Sequence, residues 1–157
     1  MQASNDPTLR ARDLMQRDLI TVTPETPILD VHRLFVEEEI HGAPVVGDDG
    51  VVLGVISALD LARVVRDALE PGSGGAAGLD DVTAADAMTK ELVIVTPDTP
   101  IDELARTMLQ QRVHRVLVGR DRMIDGVVTT FDLVRALAEK CAWTLPKALE
   151  RTGYAGS

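Results

Sequence analysis

The chain has 157 residues, enough for one compact domain or two small ones, and 45% of them are hydrophobic, which allows a sizeable core. Aromatic residues make up only 3%, so aliphatic side chains must build that core. The formal net charge of −9 disfavours general binding to the phosphate backbone of nucleic acids, although one small anion could still bind in a locally positive pocket.

The chain carries a single cysteine, Cys141, which excludes an internal disulfide and fits a reducing compartment. The first residues, MQASNDPTLRARD, are polar and lack the apolar segment of a signal peptide. No apolar run approaches the roughly 18 residues that a membrane span needs. We therefore expect a soluble, cytoplasmic protein that binds neither nucleic acid nor membrane.

The expected elements follow the order strand, helix, strand, strand, helix, once in each half of the chain. Apolar residues at helical spacing indicate the helices, and short apolar runs bounded by turn residues indicate the strands. In the first half, after a helical turn at 13–15, they are a strand at 19–22, a helix beginning at Thr26-Pro27, strands at 43–46 and 51–56, and a helix at 58–69. In the second half they are a strand at 92–95, a helix beginning at Thr99-Pro100, strands at 115–118 and 123–128, and a helix at 130–140.

The first helix of each half is expected to begin with a threonine N-cap followed by proline at the first helical position. Asp102 lies three residues after Thr99, which is the spacing of a capping box.

The two halves are copies of one another. ITVTPETPI (20–28) aligns with VIVTPDTPI (93–101) at an offset of 73 residues, and the same offset aligns the turn at 13–15 with its copy. The phrases GVISALD (54–60) and GVVTTFD (126–132) align at an offset of 72, so the second repeat has lost one residue before its phrase, in the loop that corresponds to Gly47-Asp48-Asp49-Gly50. Duplication of this kind predicts two similar units.

The duplication also predicts the domain boundaries. The first repeat would span 1–70, with a flexible N-terminus at 1–12, and the second would span 83–140. The glycine-rich residues 71–82 would be the linker, and 141–157 a C-terminal extension that caps the module, joins two chains or docks a partner. Units of about 60 residues are marginal alone, so we expect one intimate pair with an α+β fold, each small sheet being covered by helices.

The repeated phrase places a hydroxyl where a strand becomes a helix and an aspartate three residues later, as Ser57 with Asp60 and Thr129 with Asp132. One interpretation is structural, because this is the spacing of a capping box. The other is functional, because a helix N-terminus and a hydroxyl can bind phosphate while a carboxylate one turn later can accept both hydroxyls of a ribose. The two interpretations are compatible, since a ligand can displace a cap.

The histidines give no catalytic or metal-binding pattern. His32, His41 and His114 lack a ligand spacing such as H-x-x-x-H, and one cysteine cannot build a thiolate site. No phosphate-binding loop with a lysine after its glycines occurs, and no nucleophile stands beside a base in the sequence. We therefore predict no catalytic residues, no metal and no required cofactor.

Two copies of D-x-M, V-x-P-x-x-x-I and G-h-h-[ST]-x-x-D, where h is apolar, resemble a tandem pair of cystathionine-β-synthase (CBS) domains, also called a Bateman module. The resemblance extends from about Asp13 to Leu137. It implies two βαββα repeats packed about a pseudo-two-fold axis, with two clefts that bind adenosine compounds such as AMP, ADP, ATP or S-adenosylmethionine. It further implies a non-catalytic regulatory role, a homodimer of such pairs and an unidentified protein target.

The resemblance also implies composite sites, in which the aspartate of one repeat works with the base slot of the other. Asp60 and Asp132 would hold ribose hydroxyls, and Ser57 and Thr129 would contact phosphate. The walls of the base slot would be Thr21, Val22, Ala43, Pro44 and Val45 on one side and Ile94, Val95, Val116 and Leu117 on the other.

The pair His114-Arg115 resembles a His-Arg pair that contacts phosphate in AMP-sensing members, whereas the first repeat has His41-Gly42. Because a guanidinium can bind phosphate in a bidentate manner and glycine cannot, we expect unequal sites, with the Arg115 cleft preferred by a phosphorylated ligand.

The alternative function is a ligand-independent interaction or dimerisation scaffold whose aspartates are only caps. A hydrolase or transferase would need an activated nucleophile or a metal, and neither is visible.

Overall fold

The computed structural model describes residues 9–144, and the side chains of 9–139. Most of the predicted C-terminal extension, at 145–157, lies outside the described residues, as do residues 1–8. We call 9–70 the first repeat and 83–144 the second repeat.

Each repeat contributes a similar series of elements. The first contains α1 (Ala11–Leu14), α2 (Ile28–Glu37), β1 (Gly42–Val46), β2 (Val52–Ser57) and α3 (Ala58–Ala68). The second contains α4 (Ala84–Ala87), β3 (Ile94–Val95), α5 (Ile101–Gln111), β4 (Arg115–Arg120), β5 (Met123–Thr129) and α6 (Thr130–Thr144), and a 3₁₀ helix at Gly75–Asp81 precedes it and packs against α3. No helix in the described part of the chain is both long and apolar enough to cross a membrane.

The strands form one small sheet in each repeat. In the first, β1 and β2 are antiparallel, and the strand predicted at 19–22 is reduced to a single parallel bridge from Val22 to Val45. In the second, β4 and β5 are antiparallel, and β3 pairs with β4 in parallel. The predicted α+β fold of two similar repeats is confirmed.

The predicted threonine N-caps are wrong in both repeats. Both α2 and α5 begin one residue later than expected, and neither has a side-chain cap. In the second repeat Pro100 has an extended backbone and is itself the N-cap, so Thr99 lies too far from the helix and instead pairs with Thr96. Asp102 forms an ion pair with Arg106 instead of a capping box.

The two hydrophobic cores are interleaved, because each contains a short helix from the opposite repeat. Ala11 and Leu14 of α1 are buried with Leu104 and Val116 of the second repeat. Reciprocally, Ala84 of α4 is buried in the core of the first repeat. Separating the repeats would therefore open both cores. We call residues 9–16 and 82–89, which contain these two short helices, the leading segments.

Two glycines of the repeated phrase allow the leading segments to reach the strands. Gln16 and Val127 exchange backbone hydrogen bonds of 2.9 and 3.1 Å beside Gly126. A Cβ atom on Gly126 would lie 2.9 Å from the carbonyl oxygen of Gln16, closer than real contacts allow. Gly54 plays the same role beside the bridge between Val55 and Thr89.

Candidate functional site

A cavity of about 510 Å³ opens between the repeats, a size typical of small-molecule sites. Its walls combine apolar side chains with a few charged and hydroxyl groups from both repeats. The lining residues are Gln16, Asp18, Leu19, Ile20, Glu39, Ile40, His41, Gly42, Ala43, Pro44 and Val55 of the first repeat and His114, Arg115, Leu117, Val127, Thr129, Thr130 and Phe131 of the second.

Arg115 contributes a guanidinium group to the wall of this cavity. It stands at the start of β4 and is half-buried, and burial lowers the pKa of its guanidinium from the usual value. No group within residues 9–139 accepts a hydrogen bond from this guanidinium or forms an ion pair with it. A partly dehydrated cation with unused donors has the chemistry that anion binding requires.

Gly42 provides the space that Arg115 occupies. The two residues begin the equivalent strands β1 and β4, and a Cβ atom on Gly42 would lie 2.9 Å from Cζ of Arg115 and 3.2 Å from the carbonyl oxygen of Ile56. Any side chain at position 42 would require the guanidinium to move. The two repeats are thus complementary at these equivalent positions, because the missing side chain of Gly42 leaves the space that Arg115 fills.

Asp132 lies in the second repeat just behind the cavity wall and is only 1% exposed. Its Oδ2 accepts hydrogen bonds from the backbone N–H of Thr129 at 2.8 Å and from the Thr129 hydroxyl at 3.0 Å. Its Oδ1 accepts from Nη2 of Arg135 at 2.8 Å and from Nε2 of Gln16 at 3.2 Å. The Gln16 contact crosses between the repeats.

Asp60 has the same arrangement in the first repeat. Its Oδ2 accepts from the backbone N–H and hydroxyl of Ser57 at 2.8 and 2.9 Å, which confirms the structural interpretation of the phrase as a capping box. Its Oδ1 accepts from Arg63 and from the hydroxyl of Thr89, both at 3.3 Å. The aspartates are therefore both helix caps and contact points between the repeats.

The structure brings some of the residues proposed for ligand binding together and separates others. Those that line the cavity are His41, Ala43, Pro44, His114, Arg115, Leu117 and Thr129. Those that lie elsewhere are Asp132 behind the wall, Ser57 and Asp60 at the equivalent place in the first repeat, Thr21 on the surface, Ile94 and Val95 half-buried on β3, and Val22, Val45 and Val116 in the cores.

Sequence reasoning missed several groups around the site. Gln16 and Phe131 line the cavity, and Arg63 and Arg135 bind the aspartates. The arginines follow the aspartates by three residues, which is the spacing of ion pairs along a helix and could have indicated them. Gln16 had no such signal, because only the fold brings it to Asp132. Within the described residues, no cluster of three or more histidine, cysteine or acidic side chains could hold a metal ion.

A family model described as the CBS domain matches residues 11–67 and again residues 84–139. The chain belongs to the CBS-domain family. The resemblance seen in the repeated motifs is therefore confirmed, and the two repeats are CBS domains.

Relatives of this CBS pair include proteins of different lengths. MJ1426 of Methanocaldococcus jannaschii is 26% identical over 158 residues, covering 85% of this chain and 94% of that protein. MJ1225 of the same organism is 23% identical over 143 residues, covering 91% of this chain, which spans about half (47%) of that relative. Inosine-5'-monophosphate dehydrogenase of Halobacterium salinarum is 30% identical over 123 residues, covering 76% of this chain but only 22% of the enzyme.

Solved structures share the fold of the CBS pair. CBSX2, solved in complex with AMP, is 28% identical with a TM-score of 0.70, covering 83% of this chain and 96% of that one. The CBS-domain protein ATU1752 of Agrobacterium tumefaciens is also 28% identical with a TM-score of 0.70, covering 87% and 98%. The CBS pair of MJ0100, solved with 5'-methylthioadenosine and S-adenosylmethionine, has a TM-score of 0.73 at 23% identity, covering 85% and 99%.

Proposed function

We propose that this CBS pair is a non-catalytic sensor that binds an adenosine nucleotide in the cavity between its repeats. The observation that carries the proposal is Arg115, a half-buried guanidinium without a partner among the described residues, placed in a cavity that both repeats line. The similarity to CBSX2, which was solved with AMP, supports the same ligand class.

Each part of the nucleotide would have its own contacts in the cavity or behind its wall. The Arg115 guanidinium and the Thr129 hydroxyl would receive the phosphate, and the apolar side chains of Ile20, Pro44 and Leu117 would flank the base. Asp132, directly behind Gln16 and Thr129, would receive the ribose hydroxyls. A ligand held in this way would contact both repeats and so bias their relative arrangement.

The charges around the cavity favour a ligand with few phosphates. Asp18 and Glu39 line the cavity together with Arg115, and among the side chains of residues 9–139 no second arginine or lysine lines it. Each added phosphate brings negative charge towards these carboxylates, although exposure to solvent screens the repulsion. We therefore propose AMP as a better ligand than ATP.

A second function, the ligand-independent scaffold, is favoured by one observation. Both aspartates are buried, and protein groups donate all the hydrogen bonds that they accept. Exposed apolar side chains on the helices, among them Leu109 and Leu137, would suit contact with a second copy of the chain. A homodimer is compatible with either function.

Thermal unfolding with and without AMP separates the two functions. If AMP binds the native state, a concentration of 100 times its Kd adds about 2.7 kcal/mol of stability and raises the melting temperature by several degrees. We expect Asp132→Asn, which preserves the shape of the cap but removes the charge, to reduce this rise. The matched control is Asp86→Asn, because Asp86 forms the same capping box with Thr83 in α4 outside the cavity. An unchanged melting temperature of the wild type in AMP would favour the scaffold.

A further inference from the structure

The carboxylates of Asp60 and Asp132 have no acceptor positions left for a ligand. A carboxylate has about four lone-pair positions. Asp132 accepts four hydrogen bonds, two from Thr129, one from Arg135 and one from Gln16. Asp60 also accepts four, two from Ser57, one from Arg63 and one from Thr89. A ribose that binds either aspartate through its two hydroxyls must therefore displace donors that are already in place.

The two oxygens of Asp132 differ in how readily their donors can leave. The donors to Oδ2 belong to the N-cap residue Thr129, so displacing them would open the start of α6. The donors to Oδ1 are the ends of long side chains. The side chain of Arg135 is 50% exposed, whereas that of Asp132 is fully buried. Gln16 lines the cavity, so it stands on the path from the cavity to the carboxylate.

We propose that Arg135 and Gln16 compete with the ligand for Asp132. Both side chains donate hydrogen bonds to its Oδ1 until the two hydroxyls of a ribose displace them. This inference rests on the proposed nucleotide site and adds a regulatory element to it. The same pair of contacts occurs in the first repeat, where Arg63 and Thr89 hold Oδ1 of Asp60. The arrangement therefore recurs in both repeats, with side chains of different length, Gln16 and Thr89, at the cross-repeat position.

Displacement of Arg135 would couple ligand binding in the cavity to a change at the surface of α6. Its guanidinium lies 5.7 Å from the ring centroid of Phe131, a distance typical of a cation–π contact, and Phe131 lines the cavity. When the ligand takes Oδ1, the guanidinium loses its carboxylate but keeps the neighbouring ring. The exposed face of α6, which carries Val134 and Leu137, then changes its charge distribution with ligand occupancy.

The competition predicts that removing a competitor tightens binding. Isothermal titration of AMP and of 2',3'-dideoxy-AMP would be compared for the wild type, Arg135→Met and the control Arg106→Met, whose arginine makes an exposed ion pair on α5. We expect Arg135→Met to bind AMP about three- to tenfold more tightly, because a partly exposed hydrogen bond to a charged group no longer has to be broken. Binding of the dideoxy analogue, which lacks the diol, should not change.

Unchanged or weaker AMP binding by Arg135→Met, with normal binding by the wild type, would overturn the competition and leave the proposed function standing. If the wild type binds no AMP, the proposed function is overturned, and the inference that rests on it is overturned as well. Arg135→Lys, which retains a charge but loses the planar fork, provides an intermediate variant if Arg135→Met folds poorly.

Discussion

At the scale of single residues, Gly42 leaves the space that the guanidinium of Arg115 occupies, and the proposed phosphate site depends on both residues. The sequence predicts that only one repeat carries the arginine, and hence that the two sites differ. It cannot predict that the glycine opposite provides the space for the guanidinium, because that depends on the two strands beginning side by side. The capping boxes of Ser57 and Thr129 were predictable because they are local in sequence.

We expect Gly42→Ala to weaken the phosphate site. The added Cβ would meet the guanidinium of Arg115 and the backbone of Ile56, so Arg115 must move. The expected results are about tenfold weaker AMP binding by titration calorimetry and a loss of about 1–3 kcal/mol in the free energy of unfolding. The control is Gly47→Ala, where a Cβ would meet only the side chains of Asp49 and Leu53 at 3.2 Å or more. Equal AMP affinity for both variants would contradict this role of Gly42.

At the scale of elements, the sequence predicts most helices and strands but not the exchange of the leading segments. Apolar spacing identifies α2, α3, α5 and the hairpins, because these elements bury one face locally. The turn at 13–15 was expected as well, but nothing in its spacing indicates that α1 enters the core of the second repeat. The late start of α2 and α5 was missed because proline can be either an N-cap or the first helical residue.

The exchange predicts that Leu14→Ala destabilises the second repeat, although Leu14 precedes the first. Leu14 is buried among residues of the second core, so truncation would leave a cavity there and cost about 2–4 kcal/mol of unfolding free energy. Leu29→Ala on α2, where the side chain is 46% exposed, should cost much less. Urea unfolding, followed by hydrogen exchange of the β4 and β5 amides, measures both effects. Preserved protection of those amides in Leu14→Ala would show that α1 is not part of that core.

At the scale of the whole molecule, α5 and α6 carry exposed apolar side chains. Leu109 on α5 is 78% exposed and Leu137 on α6 is 61% exposed. Beside them an apolar groove of about 310 Å³ runs between these helices and includes Ile101 and Leu133. An apolar groove with exposed apolar side chains on the same helices is typical of an interface, and a second copy of the chain is the partner that we propose.

We expect light scattering to give twice the chain mass for the wild type, and a lower mass for the double variant Leu109→Glu and Leu137→Glu, because the carboxylates would be buried unpaired in the interface. Met123→Glu is the control, since Met123 is also exposed but starts β5 at the hairpin. A wild-type mass of one chain would contradict the homodimer without affecting the nucleotide site.

The most direct test of the nucleotide site compares the affinities of AMP and adenosine by isothermal titration calorimetry, for the wild type and for Arg115→Met. The two ligands differ only by the phosphate that Arg115 is proposed to bind. We predict that the wild type binds AMP more tightly than adenosine, by about tenfold or more, and that Arg115→Met removes most of that preference. Absence of binding by either ligand, or a preference for AMP that survives in Arg115→Met, would contradict the account.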